Sequence, residues 1–148
     1  MHAITMDQRI ARAIMIGGVG GGVALAITLG DPLFRGEVGF VRAAACGAFL
    51  AGLLVARGMG GAGLRGWFQS ALTFAAATVL GAAFAVPILI LDGWLMETRF
   101  MASLGDLAAL VLVGPVYVLA AVLETYMIWA VWAAGFIALQ GRLVWGRL

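Results

Sequence analysis

Residues 107–139 of the chain read LAALVLVGPVYVLAAVLETYMIWAVWAAGFIAL and contain one charged side chain, Glu124. As a single helix these roughly 33 residues would extend about 50 Å, whereas about 20 apolar residues suffice to cross the hydrocarbon core of a bilayer. No cluster of Gly, Pro, Asn or Asp near Glu124 predicts a turn, so we expect one long helix over residues 106–139. A run this long and this apolar is typical of a membrane-spanning helix.

The composition of the whole chain agrees with a membrane protein. Of its 148 residues, 64% are hydrophobic and only 11% are charged, whereas about 25% of the residues in soluble domains are charged. No segment is polar enough to form a soluble domain, so we treat residues 1–148 as one membrane domain. The chain contains arginine but no lysine and is rich in Ala and Gly, which indicates a GC-rich bacterial coding sequence.

Three further apolar segments precede the long run. The first ends at Gly30-Asp31-Pro32, a sequence that stops a helix. The second is bounded by Arg42 and Arg57 and reaches spanning length if the Arg42 side chain extends toward the interface. We therefore predict four spans, over residues 13–30, 40–56, 70–91 and 106–139.

The placement of arginine predicts the orientation of these spans, because cytoplasmic loops carry an excess of basic residues. With four spans, the two tails and the second loop share one side of the membrane. That side holds Arg9, Arg12, Arg57, Arg65, Arg142 and Arg147, against Arg35, Arg42 and Arg99 on the other side. We expect an all-α integral membrane protein, a four-helix bundle of the bacterial inner membrane with both termini in the cytoplasm.

Small residues recur at every fourth position in the first three predicted spans. Such stripes form grooves in which another helix can approach to backbone contact. The candidate helix-docking residues are Gly17, Gly18, Gly21 and Gly22 in the first span, Ala44, Ala48 and Gly52 in the second, and Ala77, Gly81 and Ala85 in the third. Two interpretations stay open. Either the grooves pack the bundle itself, or one of them, foremost Gly17–Gly22, docks a helix of another subunit or of a second copy.

Glu124 also allows two interpretations. If the membrane begins at Leu107, Glu124 lies about 26 Å along the helix, near the cytoplasmic interface, where the following aromatic residues would form a belt. If the membrane ends at Leu139, Glu124 lies within the hydrocarbon and is suited to proton or cation coupling. Tyr117 lies about two helical turns earlier on nearly the same face. Tyr117 and Glu124 are therefore the candidate proton or cation site.

Residues 58–63, Gly-Met-Gly-Gly-Ala-Gly, match the string G-x-G-x-x-G of dinucleotide-binding proteins. That motif requires a preceding strand and a following helix, and here it joins two predicted spans. We interpret it as a flexible cytoplasmic turn. Arg57 and Arg65 flank the turn and, with a nest of backbone N–H groups between them, are candidates for contact with an anionic lipid.

Few residues in the chain can carry chemistry. One cysteine, Cys46, and one histidine, His2, cannot build a bis-histidine haem site or a Cys/His zinc site. A catalytic Ser or Cys needs a base, and His2 is at the terminus. The net charge of +2 is small and dispersed, which argues against nucleic acid. We expect no enzymatic activity, no cofactor, no metal site and no nucleic-acid partner.

Because helix grooves are plentiful and catalytic groups are scarce, the sequence favours a non-catalytic subunit. We predict that it docks to a larger inner-membrane complex of transport, respiratory or photosynthetic type and stabilises or assembles that complex. The alternative is a small oligomeric transporter or channel that couples protons or cations through Glu124. A third hypothesis is an organiser of anionic lipid that acts through Arg57 and Arg65.

Overall fold

The computed structural model describes residues 5–30, 38–95, 108–109, 111–116, 120 and 126–145. Among these residues all regular structure is helical. The principal elements are helix α1 (Met6–Gly30), helix α2 (Val38–Val55), a 3₁₀ turn (Ala56–Gly58), helix α3 (Gly63–Leu95) and helix α4 (Tyr126–Trp145).

Four helices are long and apolar enough to cross a bilayer. Their spanning segments are Met6–Gly30, Val38–Gly58, Gly63–Leu91 and Tyr126–Trp145. A helix pairs its own backbone N–H and C=O groups, which is required where no water is present to do so. The predicted all-α fold with four candidate spans is confirmed for the described part of the chain, and it indicates a multi-pass membrane protein.

Helix α1 begins earlier than the predicted span because its first turn is capped. The Thr5 Oγ1 atom accepts a hydrogen bond from the Gln8 backbone N–H at 3.3 Å, and Gln8 Oε1 accepts one from the Thr5 N–H at 3.2 Å. This reciprocal pair is a capping box, which satisfies N–H groups that have no partner within the helix. Arg9 and Arg12 consequently lie inside α1.

The fourth predicted span, residues 106–139, lies only partly within the described residues. Residues 111–116 are helical, and α4 runs from Tyr126 to Trp145, past the predicted end at Leu139. Residues 117–119 and 121–125 lie outside the described residues, and with them Tyr117 and Glu124. That one continuous helix joins these segments stays a prediction.

The helices pack in a defined order. Helix α2 lies between α1 and α3 and contacts both extensively, whereas α4 packs mainly on α1 and touches α3 at fewer points. Helix α4 meets α3 through aromatic rings, with the Trp132 and Phe74 centroids 5.2 Å apart. The Trp132 Nε1–H donates to Thr78 Oγ1 at 2.9 Å. Such a ring contact with a satisfied indole N–H orients one helix against the other.

The larger hydrophobic core draws buried residues from all four helices and from the connection between α2 and α3. Its members are Ile16, Ala48, Ala51, Met59, Phe74, Ala77 and Leu139. Met59 is 3% exposed although it lies in a connecting segment. The connection between α2 and α3 is therefore folded onto the helix ends.

Candidate functional site

The glycine-rich segment between α2 and α3 is the centre of a buried polar cluster. We call residues 56–62 the α2–α3 turn. The Gly60 N–H donates to Gln140 Oε1 at 3.1 Å and to Ser70 Oγ at 3.2 Å, and Gln140 Nε2 donates to the Gly61 carbonyl at 2.9 Å. Both Gln140 and Ser70 are fully buried. The Gln140 side chain, near the end of α4, thus supplies hydrogen-bond partners to the backbone of two consecutive residues of the turn.

Helix α1 contributes the third side chain of this cluster. Arg12 is 5% exposed, and its Nη1 donates to the carbonyl oxygens of Ala56 and Met59, each at 2.9 Å. Its neighbour Arg9 donates through Nη2 to the Leu53 carbonyl at 2.6 Å. The last carbonyls of a helix have no intrahelical partner, and basic side chains satisfy them favourably. Arg9 therefore caps the end of α2, and Arg12 satisfies carbonyls of the turn that follows it.

The α2–α3 turn is consequently not the flexible connection that its composition predicts. Glycine is required within it, because Gly60 has a φ of 85° and the following Gly63 a φ of 74°. One side chain from each of α1, α3 and α4 forms a hydrogen bond to the backbone of the turn. Since the Gly60 N–H already has two acceptors, it is not available to a lipid phosphate, which removes support for a backbone nest at this position.

The predicted contacts for anionic lipid are Arg57, within the turn, and Arg65, at the start of α3, and both are exposed. Their contact with lipid stays a prediction that rests on these exposed guanidinium groups alone. Tyr117 and Glu124, the predicted proton or cation site, lie outside the described residues. Within the part of the chain that the structure describes, no three or more His, Cys, Asp and Glu side chains cluster as metal ligands.

The overlapping glycine pairs of α1 face two different neighbours. A Cβ atom placed on Gly17 would lie 3.0 Å from the Ala45 carbonyl oxygen, and one on Gly21 would lie 3.2 Å from the Ala45 Cβ. A Cβ on Gly22 would instead lie 3.7 Å from Val131 of α4, and one on Gly18 would meet nothing within 4 Å. The Gly17 and Gly21 pair therefore packs against α2, whereas Gly18 and Gly22 lie toward α4.

The stripes of α2 and α3 contact helices of this same chain. A Cβ on Gly20 of α1 would meet the Ala48 side chain and would lie 3.3 Å from the Ala44 carbonyl oxygen, and one on Gly52 would lie 2.9 Å from the Ala13 Cα. On the opposite face of α2, a Cβ on Gly47 would meet backbone atoms of Gly81 and Ala85 in α3. Ala77 is fully buried in the core. These small residues allow α1, α2 and α3 to touch along their backbones.

An open groove runs between α1 and α4 beside these packed faces. It has a volume of about 370 Å³ and is lined by Met15, Gly18, Val19 and Gly22 of α1 and by Val131, Gly135, Ala138, Leu139 and Arg142 of α4. The two helices meet at its floor, where Val19 covers Gly135. Arg142 is the one charged residue of the lining and is exposed.

A second small-residue surface lies on α4 next to the groove. Ala130, Ala134 and Ala138 recur at every fourth position, and all three are exposed. Sequence analysis missed this stripe, although the same spacing that marks the other stripes would have found it. It also missed Gln140, whose signal is a single amide side chain in an otherwise apolar helix.

The arrangement suits the packing and docking of helices. Its buried polar side chains hydrogen-bond to backbone carbonyls and N–H groups of the chain itself. No protein-family model matches the sequence, and no curated protein and no solved structure shows significant similarity to the chain.

Proposed function

We propose that the chain is a non-catalytic subunit of a larger membrane complex, which it stabilises or assembles by docking a helix of another membrane protein. The observation that carries this proposal is the exposed stripe of Ala130, Ala134 and Ala138 on α4. Small residues at this spacing permit close backbone approach, and such approach drives helix association in lipid, where burial of apolar side chains gains little.

The contrast with α3 supports a docking role for this surface. Ala76, in the middle of α3, is also exposed, but Leu72 and Leu80, four residues to either side, are exposed leucines. That face is bulky and suits contact with acyl chains. The α4 stripe instead carries alanine at three successive turns, with the exposed Met127 and Ile137 beside it, and the alanines allow close approach of another helix.

The use of polar side chains also supports a structural role. Arg12, Ser70 and Gln140 are buried at one end of the molecule, and each hydrogen-bonds to the α2–α3 turn. Groups that line a transport path need to be accessible to the transported ion. These three side chains instead fasten α1, α3 and α4 to one connection, as expected of a rigid scaffold.

For the setting of the subunit, we propose a four-helix bundle in the bacterial inner membrane with both termini in the cytoplasm. The start of α1, the α2–α3 turn and the end of α4 meet through the hydrogen bonds of Arg12 and Gln140. Basic residues concentrate at this end, which by the positive-inside rule faces the cytoplasm. The partner complex belongs to the transport, respiratory or photosynthetic machinery of that membrane.

The test compares two substitutions of equal size at exposed alanines. Full-length wild type, Ala134→Leu and Ala76→Leu are extracted from native membranes in a mild detergent, and the mass of the protein component is measured by light scattering. We expect wild type and Ala76→Leu to elute as an assembly well above the 15.3 kDa chain mass. We expect Ala134→Leu to elute alone, with unchanged helix content by circular dichroism.

Mass spectrometry of the wild-type assembly then identifies its composition. A second protein present in constant ratio supports the proposal, whereas an assembly of this chain alone replaces it with a homo-oligomer. A wild-type chain that elutes as a monomer would contradict the proposal outright.

A further inference from the structure

The groove between α1 and α4 has the dimensions of a site for a single hydrocarbon chain. Because Val19 packs on Gly135 at its floor, the groove is the outer furrow between two touching helices. The groove offers about 370 Å³ between two helices that already touch, and an extended acyl chain can lie within such a furrow.

The length of the groove matches one leaflet of a bilayer. Its lining on α4 extends from Val131 to Arg142, a distance of about 16 Å at 1.5 Å per residue. Half of a hydrocarbon core about 30 Å thick is about 15 Å. A lipid chain whose headgroup is level with Arg142 would therefore end near Val131.

The charge of the groove is confined to the end where a headgroup would lie. Among the described residues that line the groove, every one other than Arg142 is apolar. Arg142 is exposed and lies two residues beyond Gln140, whose hydrogen bonds place it at the level of the α2–α3 turn. A guanidinium group at this level can donate two hydrogen bonds to a phosphate.

We propose that the α1–α4 groove binds one acyl chain of an anionic phospholipid, with the lipid phosphate on Arg142. The site shares Ala138 with the docking stripe on α4, but its argument does not rest on the proposed subunit function. It differs from the Arg57 and Arg65 surface, because it combines a cation with an apolar furrow that fixes the chain. Gly18 keeps the furrow open, since it has no side chain to occupy it.

The experiment measures lipid binding to the delipidated full-length chain by native mass spectrometry. The probes are phosphatidylglycerol and phosphatidylcholine with identical acyl chains, and glycerol phosphate without acyl chains. We expect wild type to bind one phosphatidylglycerol at least about fivefold more tightly than phosphatidylcholine, the ratio expected for one well-placed arginine near a membrane surface. Glycerol phosphate at the same concentration should not displace the lipid.

Two pairs of variants locate the site. Gly18→Leu fills the furrow, and Gly141→Leu is its control, because a side chain at either glycine meets open space but only Gly18 lines the groove. Arg142→Gln removes the cation, and Arg42→Gln, which removes an exposed arginine near the start of α2, is its control. We expect Gly18→Leu to lose bound lipid of both types and Arg142→Gln to lose the preference for phosphatidylglycerol, while both controls bind as wild type does.

Equal binding of lipid by Gly18→Leu and Gly141→Leu would overturn the proposal, as would an unchanged preference in Arg142→Gln. If Gly18→Leu disrupts a native assembly and leaves lipid binding intact, the occupant of the groove is a protein helix and the lipid proposal is wrong. If Gly18→Leu does not fold, as judged by circular dichroism, the comparison of Arg142→Gln with Arg42→Gln decides alone.

Discussion

Gln140 and Gly60, which are 80 positions apart in the sequence, are joined by a buried hydrogen bond of 3.1 Å from the Gly60 N–H to Gln140 Oε1. The second arm of the same amide donates to the Gly61 carbonyl at 2.9 Å. One side chain of α4 therefore satisfies a donor and an acceptor of the turn between α2 and α3. In a low-dielectric environment an unpaired polar group is costly, so this double contact specifies where the end of α4 lies.

The amide of Gln140 should be necessary for stability. Gln140→Leu keeps a similar volume but leaves the Gly61 carbonyl without this donor, so we expect the free energy of unfolding to fall by about 1–3 kcal/mol. Reversible unfolding in mixed SDS micelles, followed by circular dichroism, measures the change. The matched control is Gln69→Leu on the exposed surface of α3, which should shift stability by less than about 0.5 kcal/mol. Equal effects of the two substitutions would mean that the buried contact contributes nothing.

Arg12 should be required as a guanidinium group and not only as a positive charge. Its Nη1 donates to two carbonyl oxygens of the α2–α3 turn, those of Ala56 and Met59. Loss of charge-assisted hydrogen bonds in Arg12→Met should lower the free energy of unfolding by about 2–3 kcal/mol. Arg12→Lys should recover only part of this, because an ammonium group lacks the planar fork. Arg57→Met, at an exposed arginine of the same turn, is the control, and an equal loss there would contradict the assignment.

Replacing glycine by alanine should have opposite effects on stability at Gly47, where α2 touches α3, and at Gly141, where the space is open. Alanine is favoured over glycine inside a helix by about 1 kcal/mol. A Cβ on Gly47, however, would meet backbone atoms of Gly81 and Ala85, which cannot rotate away. We expect Gly47→Ala to destabilise the chain by about 1–3 kcal/mol, whereas Gly141→Ala, where the space is open, should stabilise it by up to about 1 kcal/mol. The same unfolding assay tests both, and a stabilising Gly47→Ala would show that the two backbones are farther apart.

Glu124 provides the test that separates a structural subunit from a transporter. If the chain is a docking subunit, liposomes that contain wild type or Glu124→Gln should leak protons at the rate of protein-free liposomes, measured with an enclosed pH-sensitive dye. If Glu124 carries coupled protons, wild type should conduct and Glu124→Gln should not. Conduction by wild type that disappears in Glu124→Gln would replace the subunit proposal with the transporter alternative.

The spans were predictable because they depend on properties that are local in sequence. The predicted spans 13–30 and 70–91 contain no charged residue and are of about spanning length, and the helices found there include them. Hydropathy identifies such segments because lipid requires each one to satisfy its own backbone groups. The extension of α1 to Met6 also depends on a local signal, the capping box of Thr5 and Gln8, which the sequence analysis missed.

The positions of small residues were likewise visible in the sequence, but their partners were not. Gly17 and Gly18 are adjacent, and one residue corresponds to a rotation of about 100° around a helix. The rotation of α1 relative to α2 and α4 decides that Gly17 is covered by α2 and that Gly18 opens into the α1–α4 groove. No local rule determines that rotation, because it follows from the packing of all contacting helices together.

The sequence by itself therefore determined the class of protein, a multi-pass membrane protein, since composition and span length are sums over local chemistry. The α2–α3 turn has the composition of a flexible linker. Only the tertiary structure showed that Arg12, Ser70 and Gln140 fix it by hydrogen bonds. It also decided which small-residue faces stay open to lipid or to another helix. Contacts between residues as distant as Gly60 and Gln140 form only when four helices are in register, and periodicity along one helix carries no information about that register.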